Sequence, residues 1–497
     1  MKWSLILAGA LTGCLLATPV LAEPSVELDD STFTVKEAVN DQILAQIKAD
    51  LGKVENMAEL AFELEEISNE DLAKICGLCP QMVNLEVSSE KVTDLSPLAK
   101  LSNLKELLLE VAATDFSPLK GLTGLTKISA ESPKMGPDLT WMSGMTKLEY
   151  VTIDSETELS LVGLPTLPQL EEAMFLNAKI NDLSPLVQAM PGLQTIELRG
   201  ATIADLSPLA KLASLTDVNL YGATVKDFSP LAACPKLEKL TYYGTESADY
   251  STLGKLTQVT ELNGGLTKMN NINWLAGMTN LRIFDVFAEY VTDYSPLSKS
   301  KVEEFQVWNM RVPVGDVAAI GQTVSLRKLT FWDVEGASNS KSLSNLINLE
   351  RITIQGYNKK GGEAFDMNAA AKWDKVKKAA FEDATFVNSD GLAGMKAIED
   401  LRICKANLKA EKGLSLAFLG KLSTLKNLHI DQCKISNPEA LAQCTSLTNV
   451  RITKTEGMTS LAPLHKLPNL KRVTVSKGVY PEAELKGFGP NVKVVQN

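Results

Sequence analysis

Residues 193–214 read LQTIELRGATIADLSPLAKLAS, and the spacing inside this stretch decides the fold. Leu193, Ile196 and Leu198 follow an L-x-x-L-x-L pattern, so Ile196 to Leu198 predicts a short strand with side chains on alternating faces. Ile203, Leu206, Leu209 and Leu212 then carry the chain through an apolar interior and back. Ser207-Pro208 predicts a serine N-cap followed by proline in the first helical position, opening a short helix or 3-10 turn on the outer side. The phrase Asp-Leu-Ser-Pro-Leu at Asp205 has five further variants, at Asp94, Asp115, Asp182, Asp227 and Asp293. The copies at Asp182, Asp205 and Asp227 lie 23 and 22 residues apart, a fixed period that marks a solenoid of one repeated unit.

The same template starts repeats at Met82, Leu104, Leu125, Leu148, Leu170, Leu193, Leu215, Leu237, Val259, Leu281, Val302, Leu326, Leu349, Val376, Ile398, Leu425, Leu447 and Leu470. Most steps are 21 to 24 residues. Two are 27, and their extra residues, Tyr357 to Gly362 and Lys405 to Gly413, are predicted to bulge as loops. Strands stacked about 4.8 Å apart would extend these units over roughly 80 to 90 Å, around one continuous core. The repeats resemble the 22-residue leucine-rich repeats of bacterial internalin-type proteins, which share the DLSPLAxLxxL phrase. Ile43 to Lys53 (ILAQIKADLGK) and Ile67 to Leu78 (ISNEDLAKICGL) resemble that family's helical cap. The resemblance implies an α/β leucine-rich-repeat solenoid, a horseshoe or arc with a parallel concave sheet and short convex helices or 3-10 turns. The expected organisation is a signal peptide at 1–22, a helical cap at 23–81, repeats at 82–475 and a C-terminal cap at 476–497. One departure is clear. Where the family places an asparagine that bonds neighbouring loops, this chain has Ala178, Ala201, Ala223, Thr245, Ala406 and Cys433.

The N-terminus carries Lys2, an apolar run from Leu5, and Val20-Leu21-Ala22 before Glu23-Pro24, the pattern of a cleaved secretory signal. A competing reading takes Leu11-Thr12-Gly13-Cys14 as a lipobox and leaves Cys14 lipidated. No later apolar run approaches the roughly 20 residues that span a bilayer, so export to the periplasm, the outer-membrane surface or the medium is expected. A formal charge of −10 argues against nucleic acid as a partner.

Catalysis finds little support. There are two histidines, and no phosphate-binding loop, metal-ligand cluster or nucleophile elbow. Cys404, His429 and Asp431 fall on neighbouring concave strands, but no oxyanion hole accompanies them, and three unrelated exposed positions is the preferred reading. No enzyme, cofactor or metal is expected. Cys234 and Cys444 occupy core positions. Cys76-Gly77-Leu78-Cys79 has redox-like spacing, but a lone pair is weak evidence for zinc and fits a structural role in the cap.

The concave face is more informative. Counting each repeat from its first residue as zero, offset six reads Tyr221, Tyr243, Gly265, Phe287, Trp308 and Trp332 in six successive repeats. At 6% aromatics overall, six positions drawn by chance would hold fewer than one. Offset four beside it is polar, with Asn219, Asn263, Asp285 and Gln306. Aligned aromatics among polar neighbours match a binding hot spot. The bland reading is a ladder that only stiffens the sheet, worth about 0.2–1 kcal/mol per pair. Charge divides along the same face: early repeats project Glu86, Glu106, Glu131 and Glu172, whereas late ones project Arg351, Lys378, Arg402, His429, Arg451 and Arg472. The expected function is non-enzymatic binding of a protein or peptide on the concave face. A glycan or cell-wall polymer on the same stripe, or an envelope spacer, are the alternatives.

Overall fold

The computed structural model describes residues 25–497 except 138, 266–267, 288–289, 309–311 and 409–412. The signal and lipobox at residues 1–22, Cys14 included, lie outside the described residues. The chain divides into two compact units, Met1–Ser132 and Pro133–Asn497.

In the first unit, strands Ser25–Asp29 and Thr32–Lys36 form an antiparallel hairpin. Ala61–Glu65, Asn84–Ser89, Glu106–Val111 and Lys127–Glu131 then add in parallel, one after another. The cap is therefore not purely helical: Phe33 stacks on Phe62 at 5.0 Å and carries the sheet's core back into it. Two helices, Asp41–Asp50 and Asn69–Leu78, cover this end. Asn40 caps the first by accepting from the Ile43 N–H. Ser68 and Asp71 form a reciprocal capping box on the second. Cys76 and Cys79 are free buried thiols, and burial pushes them up to about 12 and about 11.

In the second unit, one strand from each repeat, from Tyr150–Asp154 to Lys493–Gln496, joins a parallel sheet in chain order, while short strands such as Thr202–Ile203 and Thr224–Asp227 pair in small separate sheets. Across both units, a strand begins two residues after each of the eighteen repeat starts read from the sequence. Offsets three and five bury Leu, Ile, Val and Phe, as in Phe305 and Val307 (2% and 0% exposed), so offsets two, four and six face outward.

Two details of the turns differ from the sequence reading. Ser207 is the first helical residue rather than the cap, and Leu206 takes the cap position. Because proline at the second helical position has no N–H to satisfy, the serine N–H is the donor that needs a partner. It finds one in the Asp205 carboxylate at 2.8 Å. The same aspartate-to-serine bond recurs from Asp94, Asp115, Asp182, Asp227 and Asp293 at 2.7–2.8 Å. The second difference lies in the 357–362 insertion. Tyr357 and Asn358 are core residues (0% and 3% exposed), and only Lys359 onward bulges outward. The Asn358 side chain accepts from the Ala337 N–H at 3.0 Å and donates to the carbonyls of Ala337 and Glu363, both at 2.7 Å. The other insertion falls partly on residues 409–412, outside the described set.

Where an asparagine ladder is missing, a main-chain ladder takes over. The residue at offset seven turns left-handed in repeat after repeat: Asn177, Gly200, Gly222 and Gly244, then Asp333, Gly356 and Asp383. This turn points its N–H at the offset-six carbonyl of the next repeat, as in Gly200 to Tyr221 (2.8 Å) and Gly222 to Tyr243 (2.7 Å). Glycine suits this position because positive φ costs it nothing.

Candidate functional site: an aromatic stripe and a basic groove

Register brings the offset-six residues together. Tyr243, Gly265, Phe287, Trp308 and Trp332 occupy directly paired positions on five adjacent strands. Trp308 stacks on Trp332 with centroids 4.8 Å apart and planes 15° apart. Phe287 continues the stack against Trp308 at 5.7 Å and 31°. The 4.8 Å centroid spacing equals the strand spacing, so the sheet itself sets the stack. All three rings are half-buried. Tyr221 stands apart, 51% exposed, beyond the end of its three-residue strand, with its N–H bonded to the Asn219 side chain at 3.0 Å.

Gly265 interrupts the row. Its φ is +127°, and a Cβ there would meet the carbonyl oxygen of Phe287 at 2.3 Å. Across this gap Tyr243 and Asp285 face each other, and burial, then the Asp285 charge, raise the Tyr243 phenol. Burial raises the Asp285 carboxyl, with Tyr243 partly offsetting the rise and Glu261 adding to it. Asn263 is tied to Glu261 at 2.7 Å, and Gln306 is half-buried with the stripe's own strand. The structure therefore unites Phe287, Trp308 and Trp332, links Tyr243 to Asp285, and leaves Tyr221 and Asn219 at the margin.

Further along the same sheet lies an open groove of about 620 Å³. Its lining includes Arg351, Lys378, Arg402, His429, Arg451 and Arg472 around a floor containing Ala379 and Ala380, with Asp400 as the one carboxylate. Arg402, His429 and Arg451 stand in register on three adjacent strands. Burial and the two flanking arginines lower the His429 pKa, against a small opposing pull from Asp431. Cys404 is 5% exposed, not an open position, and its sulfur accepts from Arg402 Nε at 3.3 Å. Burial raises its thiol pKa. Asp431 is held by Thr453 and Gln432, and His429 Nε2 has no hydrogen-bond partner among the described residues. The three residues do not assemble into a relay. Among the described residues, no group of three or more His, Cys, Asp or Glu is placed to hold a metal. No helix among them is long and apolar enough to cross a membrane.

The acidic residues of the early repeats lie on the outward face of their own strands. Burial, then Glu63 and Glu110, raise the Glu86 carboxyl; burial, then Glu197 and Asp217, raise that of Glu172.

No family model matches the chain. No curated protein matches it. Among solved structures it is similar to an internalin of Listeria monocytogenes, at 20% identity over 69% of this chain and 95% of that one, with a TM-score of 0.45. A leucine-rich-repeat protein of Leptospira interrogans matches at 13% identity over 82% and 99%, with a TM-score of 0.50. The Toll–Spatzle complex of Drosophila matches at 10% identity over 93% and 63%, with a TM-score of 0.59. With the repeat register above, the second likeness makes the fold a leucine-rich-repeat solenoid.

Proposed function

We propose that this chain is an exported, non-enzymatic binding protein that takes a protein or peptide on its concave face, anchored at Phe287, Trp308 and Trp332. The observation that carries this reading is the stack itself. Three half-buried rings in register form a rigid apolar ridge flanked by polar side chains, the anatomy of an anchor cluster. The stacking also favours peptide over glycan. A sugar ring lies flat on an open aromatic face, and the facing sides of Phe287, Trp308 and Trp332 are already turned on one another. Ring edges and the outermost faces remain for apolar side chains. The Drosophila structure is of a Toll–Spatzle complex, so a chain of similar fold is seen with a protein partner. The internalin-type repeat phrase supports the same class and an address outside the cytoplasm. Lipidation at Cys14 versus cleavage after Ala22 is decided by palmitate labelling of a Cys14→Ser variant.

Capture of partners from an extracellular proteome by the purified chain, compared with Trp308→Ala and Trp332→Ala variants, tests the proposal. Loss of the captured species from folded variants is expected. Unchanged capture would remove the stripe from the binding site. Quenching of tryptophan fluorescence by cell-wall fragments, with no protein captured, would favour a glycan. A variant that melts without altering capture would mark a ladder that only stiffens the sheet.

A further inference from the structure

Cations on this sheet are handled in two ways. Around the stripe they are neutralised: Lys239 lies 3.5 Å from Asp217 and 3.7 Å from Glu261, and Lys328 lies 2.5 Å from Glu304. In the groove most are not. Arg402 is bound by Glu382 at 2.8 Å, but among the described residues Arg351, Lys378, Arg451 and Arg472 have no ion pair. Asp400 lies beside Lys378 in register, yet its carboxylate is engaged by the Asn427 side-chain amide. Lys328, Arg351 and Lys378 stand on three consecutive strands in direct register, and like charges so placed oppose sheet formation. A solenoid tolerates that repulsion most simply where something else neutralises it.

We propose that the groove lined by Arg351, Lys378, Arg402, His429, Arg451 and Arg472 is a subsite for the carboxylates of an acidic peptide segment, which continues directly from the aromatic stripe. The proposal rests on the peptide reading of the stripe and specifies the chemistry of the ligand's other half. Distribution argues for a chain rather than a single anion. The strands carrying Arg351 and Arg472 are five steps apart in the sheet, about 24 Å at 4.8 Å per strand. One phosphate reaches two or three neighbouring cations, whereas same-side carboxylates of an extended peptide recur about every 7 Å and can reach unpaired cations along the whole row. Ala379 and Ala380 leave depth between the flanking cations. Continuity is set by register: Trp332 pairs with Gln355, on the strand that also bears Arg351.

Fluorescence anisotropy of labelled hexaglutamate, titrated with the full mature chain at low and high salt, tests this. Saturable binding that weakens steeply with salt is expected. An Arg351→Gln/Lys378→Gln/Arg451→Gln variant should bind at least tenfold more weakly, and a Lys301→Gln/Lys466→Gln control should bind within twofold of the parent. Thermal melts guard against misfolding, since removing unpaired like charges should not lower the melting temperature. Trp308→Ala should leave hexaglutamate affinity within twofold, so failure of the stripe and failure of the groove are read separately. Absent saturation, equal loss in the control variant, or dextran sulfate displacing hexaglutamate from the same residues at far lower concentration would each overturn the assignment.

Discussion

Within Pro133–Asn497, the convex and concave sides treat the same chemical group in opposite ways. On the convex side, the carboxylates of Asp182, Asp205, Asp227 and Asp293 accept hydrogen bonds from serine two residues on, and these bonds hold their pKa values down. On the concave side, burial pushes Glu172, Asp217 and Asp285 up. The convex turn satisfies its own polar groups and needs no partner. Beside its stacked rings the concave face holds desolvated acids and unpaired cations, which cost stability in the free protein. Local optimisation on one side and its absence on the other separate scaffold from working surface.

The largest break in that contrast is expected at Gly265→Ala. The backbone there, at φ +127°, is one that L residues rarely adopt, and the new Cβ would press on the Phe287 main chain. A loss of about 3 kcal/mol is expected from such strain. Denaturant unfolding measures it; a change below about 1 kcal/mol would mean the concave strands slide to accommodate a side chain, and that their register is looser than the stack suggests.

Much of this architecture was legible in the sequence because the repeat imposes one register on distant residues. The eighteen strands and the stacking of Trp308 on Trp332 both follow from counting. What escaped the count was local and polar. Ser207 looked like a cap because serine and proline suit those positions, yet the bond is made by Asp205, two residues earlier. Gly200, Gly222 and Gly244 form a column at offset seven whose left-handed turn was not read from the sequence, because its bond is made to a carbonyl one repeat away. Asn358 sat inside an apparent insertion, although its amide closes three main-chain bonds in the core. Neither could reading alone distinguish Lys328, which pairs with Glu304, from Lys378, which makes no ion pair among the described residues although Asp400 lies beside it.

A smaller effect sharpens the convex half. Asp205→Ala leaves the Ser207 N–H without its acceptor, and loss of such a cap costs about 1 kcal/mol. Asp205→Asn keeps an acceptor and should recover most of that loss at pH 7. The sign with pH follows from the lowered carboxyl: its stabilisation is full above the unfolded-state value near 3.9 and is lost as pH falls through the folded-state value. The deficit of Asp205→Ala, read from thermal melts, should therefore shrink below about pH 4. A deficit independent of pH would place the stabilisation in the backbone turn, not in the charge-assisted bond.

The smallest effect has the opposite sign. Asp285 is buried with a raised carboxyl, so its ionised form opposes folding at neutral pH. Asp285→Asn keeps the shape of the side chain beside Tyr243 and removes the buried charge. A gain of a few tenths to about 1 kcal/mol at pH 7 is expected, because neutralising a desolvated group relieves its burial penalty. That gain should vanish below about pH 4, where the aspartate is protonated in both states. Thermal melts from pH 7 to pH 3 thus carry a paired reading in two adjoining windows: the concave variant loses its advantage above about pH 4, as pH falls from the raised folded-state value to the unfolded one, and the convex variant loses its deficit below it. If Asp285→Asn destabilises instead, the carboxylate holds Tyr243 more strongly than burial opposes it, and the concave face is locally optimised after all. If the gain appears, Asp285 is a charge maintained at a cost to the fold beside the stripe, where a ligand donor can reach the edge of the Tyr243 gap.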